Sequence, residues 1–239
     1  MSPLKSAASL LAVGAVAFGC GYLAATRGPL APREPAAAAV VAEAPQPSTY
    51  WRERASFFDT LGTRASVVMI GDSITDGAEW GEMFPGATMA NRGIDEDTTV
   101  GVLRRMAGIE AVHAAKAFVM IGINDFAREG RSVDAVFADY RRIVSRLEKG
   151  GTKVFIQSTL ACNAALAGWI SCAAIQQSIR ELNRRLATLA SGDVAFIDIN
   201  AALAGDGGLK PEYTYDGVHL NGEGYRAWKR EISRFVLNG

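Results

Sequence analysis

The chain has 239 residues, 49% of them hydrophobic, and its 25 Lys and Arg residues balance its 25 Asp and Glu residues. This length is sufficient for one compact domain with a sizeable core and leaves room for an additional segment. The balanced charge argues against the basic surface that nucleic-acid-binding proteins use, and the spacing of the three cysteines matches no zinc site.

An apolar segment lies at the start of the chain. No charged residue occurs between Ala7 and Ala25, and at about 1.5 Å per residue such a helix is just long enough to cross a bilayer core of about 30 Å. Residues 1–27 are therefore predicted to be a transmembrane signal anchor or a cleaved signal peptide, and the missing cleavage site directly after the apolar run favours the anchor. Lipidation of Cys20 is a minor alternative, because the residues before it form a poor lipobox. The domain is accordingly expected outside the cytoplasm, anchored to an inner membrane or released into the periplasm or the medium.

A linker is predicted over residues 28–49. This segment holds five of the eight prolines and an alanine tract, but few large apolar residues. Such a composition cannot build a core and favours a semi-extended tether. The folded domain is predicted to occupy residues 50–239.

Helix and strand patterns alternate along this domain. Short apolar runs that end at glycine or polar residues are typical of buried parallel strands, and apolar residues three or four positions apart predict helices. Strands are predicted at residues 67–70, 87–90, 116–121, 152–157 and 194–197. Helices are predicted at residues 50–61, 132–149, 171–190 and 222–237, and Thr98 or Thr99 is expected to cap another. The alternation predicts an α/β fold with a five-stranded parallel sheet and helices on both faces.

Several residues that can carry chemistry lie just after these strands or in the last loop. Ser73 follows the first strand, Gly93 the second and Asn124 the third. Asp216 and His219 precede the last helix. Because the carboxyl ends of parallel strands meet at one edge of the sheet, these residues are expected to converge there.

Together these residues match the requirements of acyl transfer from an ester. Ser73 is a candidate nucleophile, His219 its general base, and Asp216 the carboxylate that orients the imidazole. The backbone N–H groups of Ser73 and Gly93 and the side-chain amide of Asn124 are candidate donors for an oxyanion hole. Taken alone, Ser73 also has a structural interpretation as the N-cap of the next helix.

Four sequence blocks resemble the SGNH (GDSL-type) hydrolase family. They are Gly-Asp-Ser at 71–73, the glycine at 93, Gly-x-Asn-Asp at 122–125 and Asp-x-x-His at 216–219. The similarity covers the chain from about Ser66 to its C-terminus. It implies a three-layer αβα, flavodoxin-like fold and ester hydrolysis by a Ser-His-Asp triad, without a metal or a cofactor.

Residues 91–94 and 97–99 are similar to one branch of this family, the platelet-activating-factor acetylhydrolase catalytic subunits and the bacterial carbohydrate O-acetylesterases. That resemblance implies a preference for short acyl groups, acetyl above all. The chain departs from the branch at Asp95 and Glu96, where a small pair such as Ser-Gly is usual. Two carboxylates beside the proposed oxyanion loop are expected to disfavour anionic substrates, and they also put the position of the Gly93 N–H in question. The alternative is that both carboxylates point to solvent.

Cys162 and Cys172 bracket a short insertion after the fourth strand. In an exported protein the pair is predicted to form a disulfide, whereas in the cytosol both would remain small buried hydrophobic residues. Four aromatic residues near the motifs are candidates either for the core or for a substrate pocket: Trp80, Phe126, Trp169 and Tyr215.

The sequence therefore predicts a serine esterase that removes short acyl groups from a small ester or an acetylated glycan. A lysophospholipase or thioesterase on the same scaffold is one alternative. A catalytically silent module that binds glycans or the cell envelope is another. The predicted partners are the substrate and, through the N-terminal helix, a membrane; no nucleic acid is expected.

Overall fold

The computed structural model of the chain describes residues 47–238. The predicted anchor at residues 1–27 and all but the last three residues of the predicted linker lie outside the described residues. Within residues 47–238, no helix is both long enough and apolar enough to span a membrane. The first described helix begins at Thr49, where the Ser48 side chain caps it by accepting a hydrogen bond from the backbone N–H of Trp51.

Five parallel strands form the central sheet. They are β1 (Val67–Gly71), β2 (Met89–Gly93), β3 (Lys116–Met120), β4 (Lys153–Gln157) and β5 (Val194–Ile197). The order across the sheet is β2-β1-β3-β4-β5, and Val67 of β1 pairs with Met89 of β2 and Lys116 of β3. Each predicted strand is present. However, β2 starts later and includes Asn91–Gly93, which the sequence placed after the strand, because these residues continue the pairing with β1.

Helices connect the strands. They are α1 (Thr49–Leu61), α2 (Ser73–Asp76), α3 (Trp80–Met83), α4 (Thr99–Arg104), α5 (Met106–Glu110), α6 (Ile123–Ala127), α7 (Val133–Lys149), α8 (Cys172–Ala187), α9 (Asn200–Leu203) and α10 (Gly222–Leu237). A two-stranded hairpin, β6 (Ala204–Gly205) and β7 (Gly208–Leu209), and a 3₁₀ turn at Pro211–Tyr213 precede α10. The long predicted helices are confirmed to within three residues at each end. Thr98 caps α4 as expected.

The connections place helices on both faces of the sheet. The crossover from β1 to β2 runs in the opposite direction to the later crossovers, so right-handed connections put its helices on the opposite face. Helices α4, α7 and α8 pack side by side on one face. On the other, Trp80 of α3 meets Trp228 of α10, with ring centroids 5.0 Å apart. The predicted three-layer α/β fold is confirmed.

Candidate active site

Ser73 lies on a tight turn between the end of β1 and α2. The carboxylate of Asp72 caps α2 by accepting a hydrogen bond from the backbone N–H of Ile74 at 3.1 Å. Ser73 is therefore the first residue of the helix and not its cap, so its hydroxyl is not used for capping. The turn requires glycine at position 71, because a Cβ there would lie 2.1 Å from Thr75 Oγ1.

Three side chains from distant parts of the sequence form a hydrogen-bonded chain at this turn. Ser73 Oγ lies 3.0 Å from His219 Nε2, and His219 Nδ1 lies 2.7 Å from Asp216 Oδ2. The other carboxylate oxygen of Asp216 accepts hydrogen bonds from the backbone N–H groups of Val218 and His219. Burial alone raises the pKa of Asp216, but the hydrogen bonds from the His219 side chain and from both backbone N–H groups outweigh it, so the net pKa is lowered. Asp216 is thus an anion at neutral pH.

Further hydrogen bonds hold the loop that carries Asp216 and His219 in position. Thr214 Oγ1 donates to the backbone oxygen of His219 at 2.6 Å and accepts from the backbone N–H of Gly217 at 2.9 Å. On the neighbouring helix α10, the Tyr225 hydroxyl donates to the backbone oxygen of Ile74 at 2.9 Å. The Thr214 bonds close the histidine loop on itself, and the Tyr225 bond joins α10, which follows this loop, to the serine-bearing helix α2. Together they hold the histidine near the serine.

Asn124 comes from α6, directly after β3, and is buried. Its side-chain NH₂ donates one hydrogen bond to the backbone oxygen of Asp97 at 3.0 Å, which leaves its second hydrogen available. The next residue, Asp125, accepts hydrogen bonds from the backbone N–H and the hydroxyl of Thr99 and pairs with Arg131. Asp125 therefore anchors the Asn124 turn to α4.

A turn at residues 94–97 lies against Asn124. It is closed by a hydrogen bond from the backbone N–H of Asp97 to the oxygen of Ile94 at 3.2 Å, and Glu96 has a φ of 63°, in the region that favours glycine. Among residues 47–238, the N–H of Glu96 has no hydrogen-bond partner. The Glu96 carboxylate pairs at the surface with Arg128 at 2.7 Å. The sequence drew attention to positions 95 and 96 for their charge but did not reveal this backbone N–H.

The structure also shows where the cysteine pair and the four aromatic residues near the motifs lie. The structure joins Cys162 to Cys172 in a disulfide, which closes the loop between them. Of the four aromatic residues, two lie in the core, Trp80 and Phe126. The other two are exposed beside His219, Trp169 and Tyr215.

A comparison with known families identifies the chain. The model of the GDSL-like lipase/acylhydrolase family matches residues 69–227, more than half of the sequence. The chain belongs to this GDSL-like family. The resemblance expected from the four sequence blocks is thereby confirmed, and membership implies hydrolysis of esters.

Solved structures agree with this assignment of the GDSL-like fold. A GDSL-like lipase from Bacteroides thetaiotaomicron is 25% identical, with a TM-score of 0.65 over 78% of this chain and 96% of that one. An acetyl-xylooligosaccharide esterase variant from Geobacillus Stearmophilus is 18% identical, with a TM-score of 0.59 over 73% of this chain and 95% of that one, and shares the fold.

An N-acylneuraminate cytidylyltransferase from Streptococcus agalactiae is 25% identical over 140 residues, 58% of this chain and 32% of that protein. The chain spans about a third of the length of the curated relatives it matches.

The structure corrects the role predicted for Gly93 in this GDSL-like chain. Its backbone N–H already donates to Asn91 Oδ1 at 2.8 Å, so it is not free for an oxyanion. The Asn91 amide in turn donates to the backbone oxygen of Asp76 at 2.9 Å. A Cβ at position 93 would lie 2.2 Å from the backbone nitrogen of Asp76. Gly93 therefore allows close packing of β2 against the serine-bearing helix α2.

We expect Gly93→Ala to lower the free energy of unfolding by about 1–3 kcal/mol, the usual range for overpacking. The new methyl group would meet backbone atoms of α2, which cannot rotate away, so kcat for ester hydrolysis should fall as well. Urea unfolding and ester kinetics measure both effects. The matched control is Gly81→Ala in α3, where no atom lies within 4 Å of a new Cβ. A Gly93→Ala variant as stable as the wild type would contradict the packing role.

Asp72 is a fully buried carboxyl group next to the serine. Its Oδ2 atom has no hydrogen-bond partner among the described residues. Burial, with smaller contributions from Asp97 and Asp125, raises the pKa of Asp72 to about 8, against partial opposition from the hydrogen bond of the Ile74 N–H. A charged, half-satisfied carboxylate is unfavourable in such a site, so Asp72 is protonated at neutral pH.

The raised pKa makes stability depend on pH. The native state keeps the Asp72 proton up to about pH 8, whereas an unfolded aspartate loses it near pH 4. Native protein then binds more protons between these values, so stability falls as pH rises across this window. Asp72→Asn retains a capping oxygen and removes the titration. We expect the free energy of unfolding of Asp72→Asn, relative to that of the wild type, to increase by up to about 1.4 kcal/mol per pH unit between pH 5 and 8. Urea unfolding of both proteins across this range measures the difference. Parallel pH curves for the two proteins would contradict this.

Proposed function

We propose that the chain is a serine esterase that removes short acyl groups, acetyl foremost, from a hydroxylated substrate such as a glycan. The observation that supports this most directly is the hydrogen-bonded series from Ser73 Oγ through His219 to Asp216, at 3.0 and 2.7 Å. Within residues 47–238, no group of three or more His, Cys, Asp or Glu side chains has the arrangement of a metal site. The proposed chemistry uses the side chains of this series together with backbone N–H groups.

In the proposed reaction, Ser73 Oγ attacks the ester carbonyl while His219 Nε2 takes its proton. Asp216 holds the opposite ring nitrogen and stabilises the imidazolium that forms. The imidazolium then gives its proton to the departing alcohol, which leaves an acyl-serine. Water, activated by the same imidazole, hydrolyses this intermediate and restores Ser73.

Three donors are proposed to stabilise the tetrahedral oxyanion. The backbone N–H of Ser73, the first residue of α2, has no partner within its helix. The second hydrogen of the Asn124 amide is available, and the N–H of Glu96 lies in the turn that Asn124 contacts. Glu96 replaces Gly93 in this assignment, because the Gly93 N–H is already used. Preorganised donors of this kind favour the transition state over the planar ester.

Two observations support acetyl as the acyl group. Residues 91–94 and 97–99 resemble the branch that favours short acyl groups, and one structural neighbour is described as an acetyl-xylooligosaccharide esterase. We further propose that the enzyme acts outside the cytoplasm, tethered by the apolar segment near its N-terminus.

The test compares the full-length wild type with Ser73→Ala on nitrophenyl acetate, butyrate and octanoate. We expect the wild type to prefer acetate and Ser73→Ala to lose nearly all of that activity. The matched control is Ser66→Ala, a serine at the amino-terminal end of β1, the edge opposite the site. A preference for octanoate would instead favour a lysophospholipase or thioesterase. Equal rates for both proteins on every ester would contradict an active serine and favour a binding module.

A further inference from the structure

Two exposed aromatic rings lie beside the histidine. Trp169 is 52% exposed and Tyr215 is 72% exposed. The His219 imidazole is nearly parallel to both rings, at 6° to Trp169 and 16° to Tyr215, with centroids 5.7 and 6.1 Å away. These centroid separations exceed those of directly overlapping rings, so the imidazole does not cover the aromatic faces. Both side chains are thus largely open to solvent beside His219.

Trp169 differs from the other tryptophans of the chain. The indole N–H groups of Trp51, Trp80 and Trp228 each donate to an acceptor within the protein. Among residues 47–238, neither the Trp169 N–H nor the Tyr215 hydroxyl has a protein partner. An exposed aromatic side chain with an unused polar group offers both an apolar face and a hydrogen-bond donor to a ligand.

The loop that carries Trp169 is held against the histidine loop. The disulfide between Cys162 and Cys172 closes it. Asn163 donates its backbone N–H to the oxygen of Gly217 at 2.7 Å, and Gly217 packs so closely that a Cβ would lie 2.5 Å from the Ala167 nitrogen. Trp169 is therefore placed relative to His219 before any ligand binds, which lowers the entropy lost on binding.

The proposed reaction decides which part of the substrate meets these rings. His219 must return its proton to the alcohol oxygen, so that oxygen has to come within hydrogen-bond reach of Nε2. The acyl carbonyl, in contrast, faces the Ser73 and Asn124 donors. Groups that flank the imidazole therefore contact the alcohol part of the ester.

We propose that Trp169 and Tyr215 form a stacking subsite for a neutral pyranose ring in the alcohol part of the substrate. This inference rests on the proposed function and specifies its substrate. A pyranose presents C–H groups on its flat faces and hydroxyl groups at its edge, which matches an open aromatic face with a donor at its rim. Burial, then Asp216 and Asp95, raise the pKa of the Tyr215 hydroxyl, so negative charge lies near this ring. That charge disfavours acidic sugars.

The experiment uses the full chain and two acetyl esters, a monoacetylated methyl β-xylopyranoside and ethyl acetate, which has no ring. We expect Trp169→Ala and Tyr215→Ala each to lower the ratio of kcat/KM for the pyranoside over ethyl acetate by about fivefold to tenfold. Trp169→Phe, which keeps a flat ring, should recover most of the ratio. Phe57→Ala, at an aromatic residue 54% exposed on α1, is the matched control and should leave the ratio unchanged.

An unchanged ratio in both alanine variants would overturn the subsite. Equal losses on both esters would also overturn it, since the rings would then act only through His219. A separate measurement does not need activity: saturation-transfer NMR of methyl β-xylopyranoside with Ser73→Ala should show contact at the ring C–H groups, and Ser73→Ala/Trp169→Ala should lose it. Absence of that contact would overturn the subsite, whereas failure of the wild type to cleave either ester would overturn only the proposed esterase function.

Discussion

Replacing His219 by alanine is expected to lower kcat for acetyl ester hydrolysis by about a thousandfold or more, the effect of losing a general base from a triad. His219 Nε2 is 3.0 Å from Ser73 Oγ and carries the proton in both halves of the proposed reaction. Its ring is about a quarter exposed, so its removal leaves no sealed cavity and should change the free energy of unfolding little. Initial rates on nitrophenyl acetate, with urea unfolding in parallel, provide the measurement.

The chain supplies its own control in its second histidine. His113 is exposed, lies in the turn before β3 and has a φ of 53°. It is therefore at the amino-terminal edge of the sheet, opposite the site. His113→Asn keeps a residue that tolerates this backbone conformation and should retain full activity. Similar losses in both histidine variants, or less than a tenfold loss in His219→Ala, would argue against His219 as the base.

The parts of the fold that the sequence predicted well are those governed by local periodicity. The long helices α7 and α10 carry clear helical patterns, and side-chain caps at Ser132 and Asn221 start them. Short helices such as α2 and α6 escaped prediction, since a single turn has too few residues to show a period. Their starts depend on particular local features, the side-chain cap from Asp72 for α2 and the φ of 126° at Gly122 for α6.

The convergence of the candidate catalytic residues was predictable because the parallel sheet brings strand ends together whatever the sequence distance. Ser73 and His219 are 146 positions apart in the sequence. Ser73 nevertheless comes just after a clearly predicted strand, and His219 lies just before a clearly predicted helix. The Gly93 assignment failed for a different reason. Whether a backbone N–H is free depends on the rotamer of a nearby side chain, here Asn91, and the sequence contains no signal for that. The approach of Trp169 to His219 likewise depends on how two loops pack.

A buried ion pair supports the turn at residues 94–97. Asp97 and Arg105 are at most 3% exposed and lie 2.7 Å apart. Asp97 also accepts from Trp51 Nε1 at 2.8 Å, and Arg105 donates to the backbone oxygen of Gly71 at 3.3 Å. The pair therefore joins α1, the end of β1 and the turn that contacts Asn124.

Arg105→Met should lower the free energy of unfolding by about 3–5 kcal/mol, because it leaves the Asp97 carboxylate buried without its partner. Burial already raises the pKa of Asp97, with Arg105 as the main opposing charge. Without Arg105 the native pKa rises further, so the native state takes up a proton more readily and the deficit should be smaller at pH 5 than at pH 8.

Urea unfolding at both pH values distinguishes this effect from a simple loss of packing. Asp97→Asn/Arg105→Met, which removes both charges, should recover part of the loss measured for Arg105→Met alone. Arg146→Met is the matched control, since its pair with Glu110 is exposed, and it should lose no more than about 1 kcal/mol. A deficit in Arg105→Met that is independent of pH, and that the double variant does not relieve, would mean that Arg105 stabilises the turn through its packing and not through its charge.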